Sequence, residues 1–233
     1  MHELALVTGA SSGIGKAISR RLISLGYEVY GIGRTFCSED PIQSPLFHPV
    51  ELDLLDTAAW ERFAASLPHD RLRVLINNAG TAWYGTLETL HAEEIQNMCR
   101  TDLEVPILIC NSLLRTLKRN RGYIINICSV TALSVSTHGA VYGACKAGLL
   151  HFSRTLFEEH RKSGLRVSAI LPDMTETALY RNADFTADSS FGASLSPQDT
   201  ADAVETILRQ REGTVISELV LRPQLHRILR KPR

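Results

Sequence analysis

The sequence has no net charge: its 233 residues hold 25 Lys and Arg against 25 Asp and Glu. A chain without a global field has no long-range pull on nucleic acid or an anionic membrane surface, so neither is an expected partner. Long apolar runs are also lacking, and none approaches the roughly 20 residues of a membrane span. The opening Met1-His2-Glu3 has no basic stretch of the kind that begins a secretory signal, and a cytoplasmic location is the expectation. Cysteine is sparse and scattered. Cys37, Cys99, Cys110, Cys128 and Cys145 contain no C-x-x-C pair and no zinc-like spacing, which argues against a metal site or a disulfide framework. Such a set fits reduced thiols, mostly small core fillers. Internal repeats and low-complexity linkers are missing too, so the chain reads as one domain, 1–233.

What is present is ordinary for a packed protein, with 44% hydrophobic and 21% charged residues. The length suits one α/β domain. Leu4-Ala5-Leu6-Val7 is an apolar run ending in Thr8-Gly9, and residues 14–25 then carry a helical pattern closed by Gly26. Further apolar runs lie at 28–32, 74–76, 123–127 and 167–171, with long helical patterns at about 91–118 and 141–162 between the later ones. Continuous apolar strands alternating with helices predict a doubly wound parallel sheet of the Rossmann type. Pro41, Pro45 and Pro49 argue against a full helix between the second and third strands. Ser196-Pro197-Gln198-Asp199 reads as a helix start, with a Ser cap, Pro at the first position and an acid in the first turn.

Between the first strand and first helix stands Thr8-Gly9-Ala10-Ser11-Ser12-Gly13-Ile14-Gly15. Glycines there allow a tight turn and let backbone approach a pyrophosphate at a helix N-terminus, a cofactor-binding reading for Gly9, Ser11, Ser12, Gly13, Ile14 and Gly15. At the end of the second strand, where an acid binds the ribose hydroxyls of NAD, this chain has Gly33 followed by Arg34. A guanidinium suits a 2′-phosphate, so NADP(H) is favoured over NAD(H); the bland reading of Arg34 is a solvated loop residue. Tyr142 and Lys146 stand four apart on one helix face, where an ammonium favours the phenolate and draws the phenol pKa down from about 10. Ser129 precedes Tyr142 by thirteen residues, directly after a strand.

The order and spacing of these pieces resemble those of classical short-chain dehydrogenases/reductases, over the whole chain. The glycine turn is similar to that family's T-G-x-x-x-G-x-G, and Ser129, Tyr142 and Lys146 to its catalytic Ser, Tyr and Lys. The resemblance implies an oxidoreductase with a small alcohol or carbonyl substrate, Tyr142 as general acid/base, Ser129 fixing the substrate oxygen, and Lys146 lowering the Tyr pKa and holding the nicotinamide ribose. It also implies an adenine-binding role for Asp53 and Leu54, a cofactor-supporting role for Asn78, Ala79 and Gly80, and nicotinamide contacts at Pro172, Thr175 and Thr177. Two positions depart from the pattern. Asp102 takes the place of the usual catalytic Asn, where its carboxylate would pair with Lys146 and blunt its effect on Tyr142. Asp173 replaces a Gly after the sixth strand and would alter the turn. These departures leave a second reading open, a cofactor-binding sensor or scaffold of low turnover. Cys128, beside Ser129, reads as a small buried residue rather than a redox group.

A substrate lid is expected at about 174–196, with Tyr180, Phe185 and Phe191 either facing substrate or pinning the loop. Residues 216–223 read as a last strand, resembling the 3-hydroxy acid and serine dehydrogenase branch. Arg227, Arg230, Lys231 and Arg233 would form a solvated tail. Leu103, Ile107 and Leu114 on one helix, with Leu149, Leu156 and Phe157 on another, give apolar faces that the resemblance assigns to a homodimer or homotetramer.

Overall fold

Apolar runs stopped by polar or glycine positions form the strands of the protein, seen in a computed structural model that describes residues 2–231. They are β1 (Leu4–Thr8), β2 (Glu28–Gly33), β3 (Phe47–Glu51), β4 (Leu72–Asn77), β5 (Tyr123–Ile127), β6 (Arg166–Pro172), β7 (Phe185–Ala187), β8 (Glu218–Leu221) and β9 (Ile228–Arg230). All but β7 and β9 join one parallel sheet in the order β3-β2-β1-β4-β5-β6-β8. Every residue of β1 and β5 is buried, as a sheet covered on both faces requires. The order reverses between β1 and β4, and a crevice opens at the carboxyl ends of those strands.

Helix α1 (Gly13–Ser24) and the later α6 (Pro197–Leu208) cover one face, with Ile18, Leu22, Val204 and Ile207 packed on Val7, Ile76 and Ile125. On the other face, α2 (Thr57–Ser66) and α4 (Val105–Arg119) bring Trp60, Leu113 and Leu117 onto Leu6, Leu75 and Ile124. As the prolines predict, no helix joins β2 to β3; Lys16 and Arg20 of α1 hold that loop through Asp40. The helical pattern at 91–118 forms two helices, α3 (Ala92–Cys99) and α4 (Val105–Arg119), separated by a π turn at Arg100–Glu104. A π turn adds a residue to the helical circuit, which a 3.6-residue period does not register. Helix α5 (Ala140–His160) follows β5, and α6 (Pro197–Leu208) starts at Ser196, whose hydroxyl and the Asp199 carboxylate cap each other's backbone.

The tail is not simply solvated: β9 pairs antiparallel with β7, and the Lys231 ammonium donates to the carbonyls of Tyr180 (2.7 Å) and Arg181 (3.1 Å). Arg230 pairs with Asp184 across the same small sheet. Arg233, like Met1, lies outside the described residues. Leu149 and Leu156 are not on a free face either, because both are buried in the core; Leu103, Ile107, Leu114 and Phe157 remain half-buried.

Candidate active site

The crevice at the switch point is a cleft of about 1120 Å³. Behind its inner wall lies Thr8, whose hydroxyl accepts the backbone N–H groups of Asn78 and Ala79, both at 3.0 Å, and donates to the Ile76 carbonyl at 3.3 Å. Asn78 answers through its side-chain amide, which donates to the carbonyls of Thr8 (2.9 Å) and Gly9 (3.2 Å). Gly9, at φ +66, sits so close that a Cβ would lie 2.9 Å from the Ala79 Cα. At Gly15 a Cβ would meet the Gly9 carbonyl oxygen at 2.2 Å, so α1 can begin here only on glycine. Gly9, Ser11, Ser12, Gly13 and Ile14 line the cleft, with Gly15 packed behind them.

Around the rim the remaining predicted positions fall in chain order. Arg34 is exposed on the cleft wall just past Gly33, where an added Cβ would stand 2.9 Å from that of Ser11. Asp53, Leu54, Asn78, Ala79 and Gly80 line the same wall. Pro172, Thr175 and Thr177 lie opposite, and the Thr177 side chain is the nearest neighbour of Gly13.

Ser129, Tyr142 and Lys146 line the cleft together, and all three are buried. Ser129 follows β5, accepts the Thr131 N–H at 3.2 Å and has its hydroxyl within hydrogen-bond reach of the Tyr142 phenol. Lys146 donates to the Ile127 carbonyl at 3.1 Å. Asp102 does not line the cleft. It sits behind Gly80 at the π turn, fully buried, with Oδ2 accepting the Thr81 N–H at 3.0 Å and Oδ1 3.1 Å from the Lys146 ammonium. Burial raises the Asp102 carboxyl above the usual carboxylate range, against the pull of Lys146.

This pairing has a consequence for Tyr142 that runs against the expected lowering. Its phenol is held well above its ordinary value, first by burial and then by the Asp102 carboxylate, with the Ser129 hydroxyl opposing. The Lys146 ammonium is 5.6 Å from the ring centroid and already sits on Asp102, so much of its field is spent there. Cys128 is buried, and burial pushes its thiol up to about 12, the state of an unreactive filler.

Asp173 also departs from expectation, because its backbone is not in the left-handed region. Its carboxylate accepts the Met174 N–H at 2.8 Å and lies 3.2 Å from the His226 ring and 4.0 Å from Arg222, so it anchors the tail. Of the three lid aromatics, Tyr180 is buried and Phe185 half-buried, whereas Phe191 points into solvent. Tyr84 completes a ring cluster, with centroids 6.0 Å from Tyr142, 6.0 Å from Tyr180 and 5.1 Å from Phe185. Tyr84, Arg222 and His226 line the cleft without having been singled out from the sequence. The aromatic pair Trp83-Tyr84 soon after Gly80 was the available signal for the first; nothing local marked the other two.

A parallel sheet in this order, with a glycine turn at its switch point, defines a doubly wound α/β fold of the dinucleotide-binding type. The family model for short chain dehydrogenase matches residues 3–187, and the chain belongs to that family. It is 36% identical over 188 residues to a serine 3-dehydrogenase of Agrobacterium fabrum, covering 76% of this chain and 74% of the relative. A Haemophilus influenzae protein described as "Probable NADP-dependent dehydrogenase" is 32% identical over 235 residues, 94% of this chain and 92% of its own. Among solved structures, an alcohol dehydrogenase from the archaeon Thermococcus sibiricus complexed with 5-hydroxy-NADP superposes with a TM-score of 0.86 at 25% identity, covering 97% and 99% of the two chains.

Proposed function

We propose that the protein is an NADP(H)-dependent oxidoreductase that interconverts a small secondary alcohol and its carbonyl compound. The observation that carries this reading is that Ser129, Tyr142 and Lys146 open on the same cleft as the glycine turn. The turn fits a dinucleotide, because Gly9 and Gly13, both at positive φ and both lining the cleft, make the tight strand-to-helix turn that presents the N-terminus of α1 to a pyrophosphate. Gly9, Ser11, Ser12, Gly13 and Ile14 would hold that group, Asp53 and Leu54 the adenine, Asn78, Ala79 and Gly80 the adjoining ribose, and Pro172, Thr175 and Thr177 the carboxamide. Arg34 would hold the 2′-phosphate. At Gly33 a carboxylate side chain would have to begin against Ser11, which disfavours the acid that NAD enzymes use. The bound cofactor supplies or accepts the hydride.

The chain's own residues move the proton. Tyr142, with its phenol raised by burial, holds a hydrogen at Oη through the neutral range, the form that protonates a carbonyl oxygen in reduction. Ser129, whose hydroxyl is beside the Tyr142 phenol, donates to that oxygen once substrate is bound and stabilises the charge developing on it. Lys146 gives one N–H to Ile127 and rests on Asp102, leaving a donor for ribose hydroxyls. The lid and the tail anchored at Asp173 would close over the substrate. Homodimer or homotetramer formation through the half-buried faces of α4 and α5 belongs to the same reading, as does a cytoplasmic setting for five free thiols.

The test is a titration with NADPH and NADH followed by turnover on a panel of carbonyl compounds. Tighter NADPH binding, weakened by Arg34→Asp, and turnover that Tyr142→Phe loses are the expected results. NADPH binding without turnover on any carbonyl or alcohol would favour the sensor reading that the Asp102–Lys146 pair motivates. Binding of neither nucleotide would overturn the proposal.

A further inference from the structure

Cys99 closes α3 and Cys145 lies in α5, 46 positions apart in sequence, yet their sulfur atoms are 3.9 Å from each other. A disulfide needs about 2.05 Å, so a shift of roughly 2 Å, shared between two χ1 rotations and the helix ends, would join them. Their positions give such a bond leverage. Cys145 stands between Tyr142, one turn earlier on α5, and Lys146, its immediate neighbour. Cys99 is the last residue before the π turn that carries Asp102, the buried partner of Lys146. The two thiols therefore bridge the same pair of elements as the ion pair at the base of the cleft. Access is unequal: Cys99 is exposed, while Cys145 is buried beside Met98 and Tyr142.

We propose that Cys99 and Cys145 form a reversible disulfide that displaces the Asp102–Lys146 pair and switches the site off. The loss of turnover rests on the reading of Tyr142 and Lys146 given above; the bridge itself does not. With a peroxide as oxidant, the Cys99 thiolate attacks one peroxide oxygen, the O–O bond breaks, and hydroxide leaves and is protonated to water. The Cys145 sulfur then attacks the resulting sulfenic acid, forming S–S and breaking S–O. The departing oxygen leaves as a second water carrying the Cys145 proton. Two thiols are oxidised and one peroxide is reduced to two waters; a small dithiol reverses the change by exchange. Burial and the nearby Cys99 hold the Cys145 thiol up at about 12, so the second step quickens as pH rises.

The full-length protein would be treated with stoichiometric hydrogen peroxide, digested without reductant and mapped by mass spectrometry. The expected product is one peptide pair joined through Cys99 and Cys145, lighter by two hydrogens, together with at least a tenfold fall in turnover that dithiothreitol restores. Cys99→Ser should keep the basal turnover and resist peroxide. Cys145→Ser should stop at a sulfenic acid on Cys99 that dimedone traps. The absence of the joined peptide in the oxidised wild type, or equal peroxide sensitivity of Cys99→Ser, overturns the proposal, and a bridge without loss of turnover overturns the switch. If no substrate turns over at all, the peptide map and NADPH affinity still read the bridge, so failure of the catalytic reading is seen separately.

Discussion

The glycine-turn end of the cleft is backbone fastened to backbone, whereas the lid end is short strands, stacked rings and exposed charges. At the first, the Thr8 hydroxyl and the Asn78 amide satisfy each other's strands, and glycine is required by atoms less than 3 Å away. At the second, β7 and β9 have three residues each, every residue of β9 is exposed, and Phe191 is in solvent. On the function proposed above, the first end would hold the nucleotide and the second would close over the substrate. Between them lies Asp102 with Lys146, the costliest charges in the molecule to bury.

Substitutions should separate the three zones by size of effect. Asp102→Ala should be worst, destabilising the protein by about 3–5 kcal/mol in urea unfolding because Lys146 is left buried without its partner. A loss under 1 kcal/mol would mean that the pair is not charged. Gly9→Ala comes next: a positive φ and a contact at 2.9 Å should cost about 2–3 kcal/mol and weaken nucleotide binding by an order of magnitude or more, read by fluorescence titration. His226→Ala should leave nucleotide binding alone and raise KM severalfold, since it loosens the tail at Asp173; equal effects on both constants would dissolve the distinction between the two ends. Arg230→Ala, removing an exposed pair with Asp184, should change stability by no more than about 0.5 kcal/mol.

A pH profile sharpens the middle zone. The folded protein holds the Tyr142 phenol above its ordinary value, so the protonated form needed for reduction persists through the neutral range and is lost only as pH climbs past that raised value. The rate of carbonyl reduction should therefore show no fall from phenol ionisation between about pH 6 and 9. Asp102→Asn removes the carboxylate that helps to raise it and should bring the alkaline limb to lower pH.

The sheet was legible because each of its inner strands must be apolar on both faces, and a run such as Tyr123-Ile124-Ile125 has no other reason to exist beside Asn126. The glycine turn was legible because spacing and context agree. The π turn at Arg100–Glu104 was not, since it carries no Gly or Pro to mark a break and the shift in apolar phase falls within a single turn between two helical patterns. The lid and tail failed for a different reason: three-residue strands carry too few positions to show alternation, and Ile228 and Leu229 are exposed in the fold. That Asp173 would meet His226 depends on that pairing and so was hidden with it.

The pairing of β7 with β9 also sets an order of events during synthesis. A chain leaving the ribosome can wind its helices and zip β1 through β6 from segments already emerged, but β7 must wait for a partner translated more than forty residues later. The carbonyls of Tyr180 and Arg181 wait likewise for Lys231. On the function proposed above, the wall that would hold the nucleotide is then made from segments that emerge before the cover over the substrate end can form.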